Sequence, residues 1–170
     1  MAFVSQEDKK MLTPAIKAVL KKYNMKASIA VRHHSTLVVN IKSGELDIIS
    51  AYQETRLNHI ERELYHHPDQ YIQLEEYVRV NEYWIEDTYK NYPEICAFLT
   101  ELKSAMEGPE FFNEDDSMTD YFHRSHYTDI NVGSYDKPYV CTSETKDLSA
   151  RIAEVKAIRD ELKLDMKKAA

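Results

Sequence analysis

Apolar positions along the chain follow two rhythms, one near 3.6 residues and one near two. Met11, Leu12, Ala15, Ile16, Val19 and Leu20 recur at helical spacing behind Ser5 and Asp8, which stand in the order of an approximate capping box, and they predict a first helix. Pro14 lies inside that pattern. It either kinks a continuous helix or opens one capped by Thr13, and its fixed φ and missing N–H favour the second arrangement. Asn24 suits a left-handed stop. Residues 27–42 then read as two β-branched runs, ASIAVR and TLVVNIK, parted by His33, His34 and Ser35, which is the pattern of a hairpin. Ser43 and Gly44 predict a turn, and Leu57, Ile60, Leu64 and Tyr65 predict a short helix over 51–65 that ends at His66-His67-Pro68.

The alternating rhythm returns at 76–83, where Tyr77, Arg79 and Asn81 oppose Val78, Val80 and Glu82, and predicts a third strand. Tyr92-Pro93 opens an amphipathic helix through Ile95, Phe98, Leu99, Leu102 and Met106, stopped by Gly108-Pro109. Residues 110–124 are irregular and acidic. YTDINV and PYVC, on either side of residues 133–137, predict a fourth strand and a short fifth. From Ser143 to Lys168, Leu148, Ile152, Val155, Ile158, Leu162 and Met166 hold helical spacing with no glycine or proline. The sum is an α+β fold: a small antiparallel sheet of four to five strands with helices packed around it and a long C-terminal helix. Residues 1–142 form one domain in this reading, and the helix of 143–170 packs on it or dimerises.

Composition narrows the function classes. With 170 residues, 43% hydrophobic, 30% charged, 3 glycines and 5 prolines, the chain has enough apolar surface for one core and too few breakers for disorder. No apolar run reaches the roughly 20 residues of a membrane span, and residues 1–10 lack a secretory layout, so an intracellular protein with no membrane contact is expected. Cys96 and Cys141 show no C-x-x-C spacing and predict reduced thiols rather than a disulfide framework. The formal charge of −7 argues against generic nucleic-acid binding and suits a basic partner.

Three constellations could carry chemistry. His34-Ser35-Thr36 and His126-Tyr127-Thr128 are two His-x-Thr triplets on predicted strands. One imidazole can serve as base and the other as acid, while Thr36 and Thr128 hold phosphate oxygens. The spacing resembles the two-histidine phosphoesterase family, although Asp129 stands where that family has an apolar residue and would set negative charge near a phosphate. In a chain of seven histidines the same pair also arises as a turn histidine and a strand-edge histidine. A metal site could be drawn from His66-His67, His123-x-x-His126, Asp115, Asp116 and Asp120, but no spacing among them is diagnostic, and neither a metal nor another cofactor is expected.

The third constellation is charge itself. Glu107, Glu110, Glu114, Asp115, Asp116 and Asp120 lie within 104–122 with no lysine or arginine, so this stretch holds −6 of the −7. Phe111, Phe112, Met118, Tyr121 and Phe122 are interleaved with them. Acids among large aromatics form a surface suited to a basic, nucleic-acid-handling partner, with Glu110, Phe111, Phe112, Glu114, Asp115, Asp116, Asp120 and Tyr121 as its contact residues. The same aromatics could instead anchor an acidic loop. Tyr71, Tyr77, Tyr83, Tyr89 and Tyr92 read as mainly structural, with Trp84 as a core or rim anchor.

At VRHHSTLVVNI, VRVNEYW and DDSMTDYFHRSHYTDINVGSYDKPYV the chain resembles a family of small uncharacterised proteins of tailed bacteriophages and other mobile elements. The MTDYF stretch is also similar to a domain of large polyvalent proteins thought to travel with incoming DNA and blunt host defences. The resemblance spans residues 6–140 and implies a context in the cytoplasm of a bacterial host, a counter-defence role and no assigned catalytic residues. The expectation is a non-enzymatic accessory protein that binds and modulates, by inhibition, a host protein or protein–nucleic-acid complex. The two-histidine phosphoesterase, acting on a nucleotide or cyclic oligonucleotide, and a homodimeric structural protein of the phage cycle joined through residues 143–168 are the alternatives.

Overall fold

The computed structural model describes residues 2–116, 118 and 123–169. The first helix, α1 (Gln6–Lys22), starts from a reciprocal capping box in which Ser5 Oγ accepts from the Asp8 N–H and the Asp8 carboxylate accepts from the Ser5 N–H. It runs through Pro14 without a break, so Thr13 is not a cap: its hydroxyl donates back to Lys9 O at 2.6 Å. The cap at Ser5 already fixes the helix start, and Pro14 lies on an exposed side. Asn24 takes the expected left-handed turn at φ 52°. The hairpin of β1 (Met25–Arg32) and β2 (Thr36–Gly44) follows, with His33 and His34 both at positive φ in its turn. Ser43 and Gly44 belong to β2 rather than to a turn, since they pair with β5.

Next come α2 (Ile48–Leu64), β3 (Val78–Arg79), α3 (Ile85–Thr88), α4 (Pro93–Glu107), β4 (Tyr127–Val132), β5 (Val140–Cys141) and α5 (Ser149–Ala169). The α+β class is as the pattern predicts, with helices on one side of a five-stranded sheet ordered β1-β2-β4-β3 and β5 also on β2. The sheet is mixed, however: β2 runs parallel to β4 and β5, because the long helical connection after β2 brings the chain back in the same direction. The predicted third strand shortens to two residues. Asn81 accepts the Tyr83 N–H on its side chain and the Trp84 N–H on its carbonyl, and this turn pulls the chain off the ladder. Trp84 is consequently exposed and is no core anchor, whereas Tyr89 is buried.

Residues that pair across the sheet share a face, and the register separates two of them. Leu37, Val39, Ile41, Ile130, Val132 and Val78 line one face. They pack with Ile16 and Leu20 of α1 and Phe98, Leu99, Leu102 and Met106 of α4 into the main core. The opposite face carries Ala30 and Arg32 of β1, Thr36, Val38, Asn40 and Lys42 of β2, Tyr127, Asp129 and Asn131 of β4, and Arg79 of β3. Among the described residues no helix packs closely on it.

A second, smaller core joins Leu57, Ile60 and Leu64 of α2 to Leu148 and Val155, with Ile152 and Leu162 alongside. The C-terminal helix therefore packs on the domain through the apolar stripe that the sequence offers to either a sheet or a second copy. It begins at Ser149, six residues after the predicted start: Ser143 Oγ donates to Glu45 O and the Lys146 N–H to Asp47, holding the intervening chain extended. Arg151 ties the helix to Asn58 and Glu61.

Candidate functional site

β4 is the central strand on which both candidate sites meet, because the acidic segment runs directly into it. Residues 112–115 and 123–125 pair as the base of an arm. The Glu114 N–H donates to His123 O at 2.7 Å, the Ser125 N–H to Phe112 O at 3.0 Å, and Asn113 bridges Arg124. Two clamps lock its base. Arg124 donates to the Asp115 carboxylate through Nε at 2.6 Å and again through a terminal nitrogen, and its guanidinium lies 4.7 Å over the Tyr127 ring. His126, buried, donates from Nε2 to Met106 O at 3.0 Å near the C-terminus of α4, and its ring meets Phe111 edge-on at 5.4 Å.

These contacts sort the predicted contact residues. Asp115 and Phe111 face inward and hold the arm. Glu114 pairs with His123, whose ring packs against Phe112. Glu110 and Asp116 are exposed, Phe112 is 41% exposed and Met118 91% exposed. Asp120 and Tyr121 lie outside the described residues. Inward aromatics and outward aromatics alternate here because a folded-back strand pair sends neighbours to opposite sides, a signal present in the Phe111-Phe112 pair but invisible without knowing that the segment pairs with itself.

The four phosphoesterase candidates do not surround one cavity. Thr36 pairs with Tyr127 and Leu37 with Thr128, so the two threonines point to opposite faces of the sheet. Thr128 donates to Glu82 at 2.5 Å and lines a cleft of about 580 Å³ with Arg79, Glu82, Lys103 and Arg124. His126 faces a different groove beside Asp8 and Phe111. His34 is exposed in the β1–β2 turn, where its carbonyl accepts the Val4 N–H. One histidine thus supports a turn and the other caps a helix and braces the arm. Among the described residues no three His, Cys, Asp or Glu side chains converge on a metal position, and both cysteines are free thiols.

In the cleft, burial holds the Glu82 carboxyl above the ordinary carboxylate range, against the opposing hydrogen bond from Thr128. Its second oxygen, Oε1, is buried with no hydrogen-bond partner. Above the cleft, on the open face of the sheet, is an arrangement that sequence reading missed. Asp129, its side chain 2% exposed, accepts from Arg32 at 2.5 Å on one oxygen and from Arg79 at 2.7 Å on the other. Arg32 reaches it from two strands away. Beside this trio the Asn131 amide donates to Asn40 at 3.1 Å. The alternation of β4 marks Asp129 as facing away from the core, but nothing local in YTDINV names the distant arginines that make its burial tolerable.

No protein-family model, no curated protein and no solved structure matches the chain. No helix among the described residues is long and apolar enough to cross a membrane.

Proposed function

We propose that this chain is a non-enzymatic accessory protein that binds and inhibits a nucleic-acid-handling or defence factor in the cytoplasm of a bacterial host, using the arm at 109–126 as its docking element. The observation that carries this reading is the exposure of Phe112 and Met118 among Glu110, Glu114 and Asp116 on a segment whose base is clamped by Arg124 and His126. Large apolar side chains held in water cost solvation free energy unless a partner covers them, and the surrounding carboxylates select a basic partner and speed encounter. The phage-type sequence resemblance favours the same context. No observation favours the phosphoesterase alternative: Thr36 and Thr128 lie on opposite faces of the sheet, and Thr128 and His126 line different cavities.

The test is capture of partners from a bacterial lysate by the tagged chain and by a Glu110→Lys/Glu114→Lys/Asp116→Lys variant. Asp115 is left intact because it clamps Arg124. A partner bound by the parent and lost by the variant supports the reading; an identical set of captured proteins removes the arm as a docking element.

A further inference from the structure

One arginine would neutralise Asp129, and the structure gives it two. Each guanidinium carries five N–H donors; Arg32 directs a terminal nitrogen and Arg79 its Nε to the shared carboxylate, while the side chains remain 46% and 69% exposed. The buried carboxylate therefore acts as a positioning group, holding two forked donors on the surface with most of their N–H groups unused. We propose that this open face of the sheet binds single-stranded nucleic acid, with Arg32 and Arg79 taking backbone phosphates and the exposed Tyr127 ring receiving a base.

Charge complementarity favours a polyanion. Arg32 and Arg79 share the paired positions of the face with a single acid, Asp129. The chain-wide charge of −7 does not oppose this, because 104–122 carries −6 and leaves −1 for all the rest. Charge is segregated here: the arm is acidic and the face basic.

Three features favour a single strand over a duplex or an acidic peptide. The face spans three strand spacings from β1 to β3, about 14 Å, which suits a short run of nucleotides laid across a sheet. Tyr127, 36% exposed, offers an aromatic plane on which an unpaired base stacks. The hydrogen bond from the Asn131 amide to Asn40 Oδ1 leaves three amide N–H donors and the Asn131 carbonyl oxygen beside the arginines, groups that can read a base edge. A peptide would use the charge but not the stacking plane, and a duplex would hide its bases.

The experiment is fluorescence anisotropy of the full chain with labelled RNA and DNA single strands of about 12 nucleotides at about 50 mM salt, with the matching duplex and polyglutamate as competitors. The expected result is binding to the single strand that weakens with salt and is displaced by unlabelled strand more readily than by duplex or polyglutamate. Arg79→Gln keeps the Arg32–Asp129 pair and weakens binding by about tenfold. The charge-free Arg32→Gln/Arg79→Gln/Asp129→Asn variant, which leaves no charge buried, abolishes it while its circular dichroism and melting curve show a folded chain. Lys17→Gln, exposed on α1 behind the sheet, binds like the parent. Absence of binding by the parent, equal loss in Lys17→Gln, or stronger competition by duplex or polyglutamate would overturn the proposal.

Discussion

In the arm, Asp115 has Arg124 to itself; on the open sheet face, Asp129 is shared by Arg32 and Arg79. Both carboxylates are largely out of water, and both organise the surface around them. The arm uses its pair to close a hairpin base, so the remaining acids point outward and the surface stays negative. The sheet uses its trio to aim two cations outward, so a buried acid yields a positive surface. A carboxylate's position in the fold, more than its count in the sequence, decides the sign of the surface above it.

The largest effect should come from stripping the shared acid of its partners. Arg32→Met/Arg79→Met keeps apolar cover over Asp129 while removing both of its partners, a loss of about 3–5 kcal/mol, and adding Asp129→Asn should recover most of it. Arg124→Ala in the arm should cost only about 1–2 kcal/mol, because a local opening lets Asp115 hydrate. Urea denaturation of the four proteins ranks them. An arm variant as damaging as the sheet variant would erase the distinction between a surface hairpin and a built-in charge trio.

His126→Ala comes next. It leaves the Met106 carbonyl without its side-chain donor and removes the ring that Phe111 packs against, a cost of about 1–3 kcal/mol. The loss should be local, so limited proteolysis should cut residues 109–116 faster while cleavage of β1 and β2 stays unchanged. His34→Ala, in the exposed β1–β2 turn, should leave that cleavage unchanged.

Glu82 gives a pH-dependent comparison at the boundary between arm and sheet. Its folded pKa is raised by burial, so the folded chain binds more protons than the unfolded one, and stability falls as pH rises from the ordinary value of 4.5 through the raised one. Glu82→Gln keeps an oxygen for the Thr128 hydroxyl and removes the desolvated charge. It should melt like the parent below that ordinary value and above the parent at neutral pH, with a gain smaller than the arginine loss. A difference that is constant between pH 4 and 8 would mean that burial of the carboxylate is not what costs stability.

How far the chain could be read ahead of its structure differs by feature. The capping box at Ser5, the left-handed Asn24, the hairpin around His33-His34 and the Tyr92-Pro93 helix start are local, and local chemistry decides them. Strand direction is not local: YTDINV reads the same whether it lies parallel or antiparallel to TLVVNIK, and the parallel pairing depends on the path of the 82 residues between β2 and β4. The same limit hid the site on the open face. Arg32, Arg79 and Asp129 are ordinary strand residues in sequence, 97 and 50 positions apart across the two bonds, and only the β1-β2-β4-β3 order brings them together. The acidic segment was visible as a run of charge, but its division into inward clamps and outward contacts needed the pairing of Phe112 with Ser125.

The smallest stability effect should come from the residues with the largest proposed role. Glu110 and Asp116 are exposed, so Glu110→Lys/Asp116→Lys should change folding stability by no more than about 0.5 kcal/mol. Yet it moves the arm's charge by four units, which long-range attraction to a basic partner registers directly in the association rate. Measured against the captured partner, the variant should associate more slowly by at least about tenfold at low salt, with the gap narrowing as salt is added. An unchanged rate at low salt would show that Glu110 and Asp116 do no steering, and would leave Phe112 and Met118, among the described residues of the arm, to carry the claim to a partner.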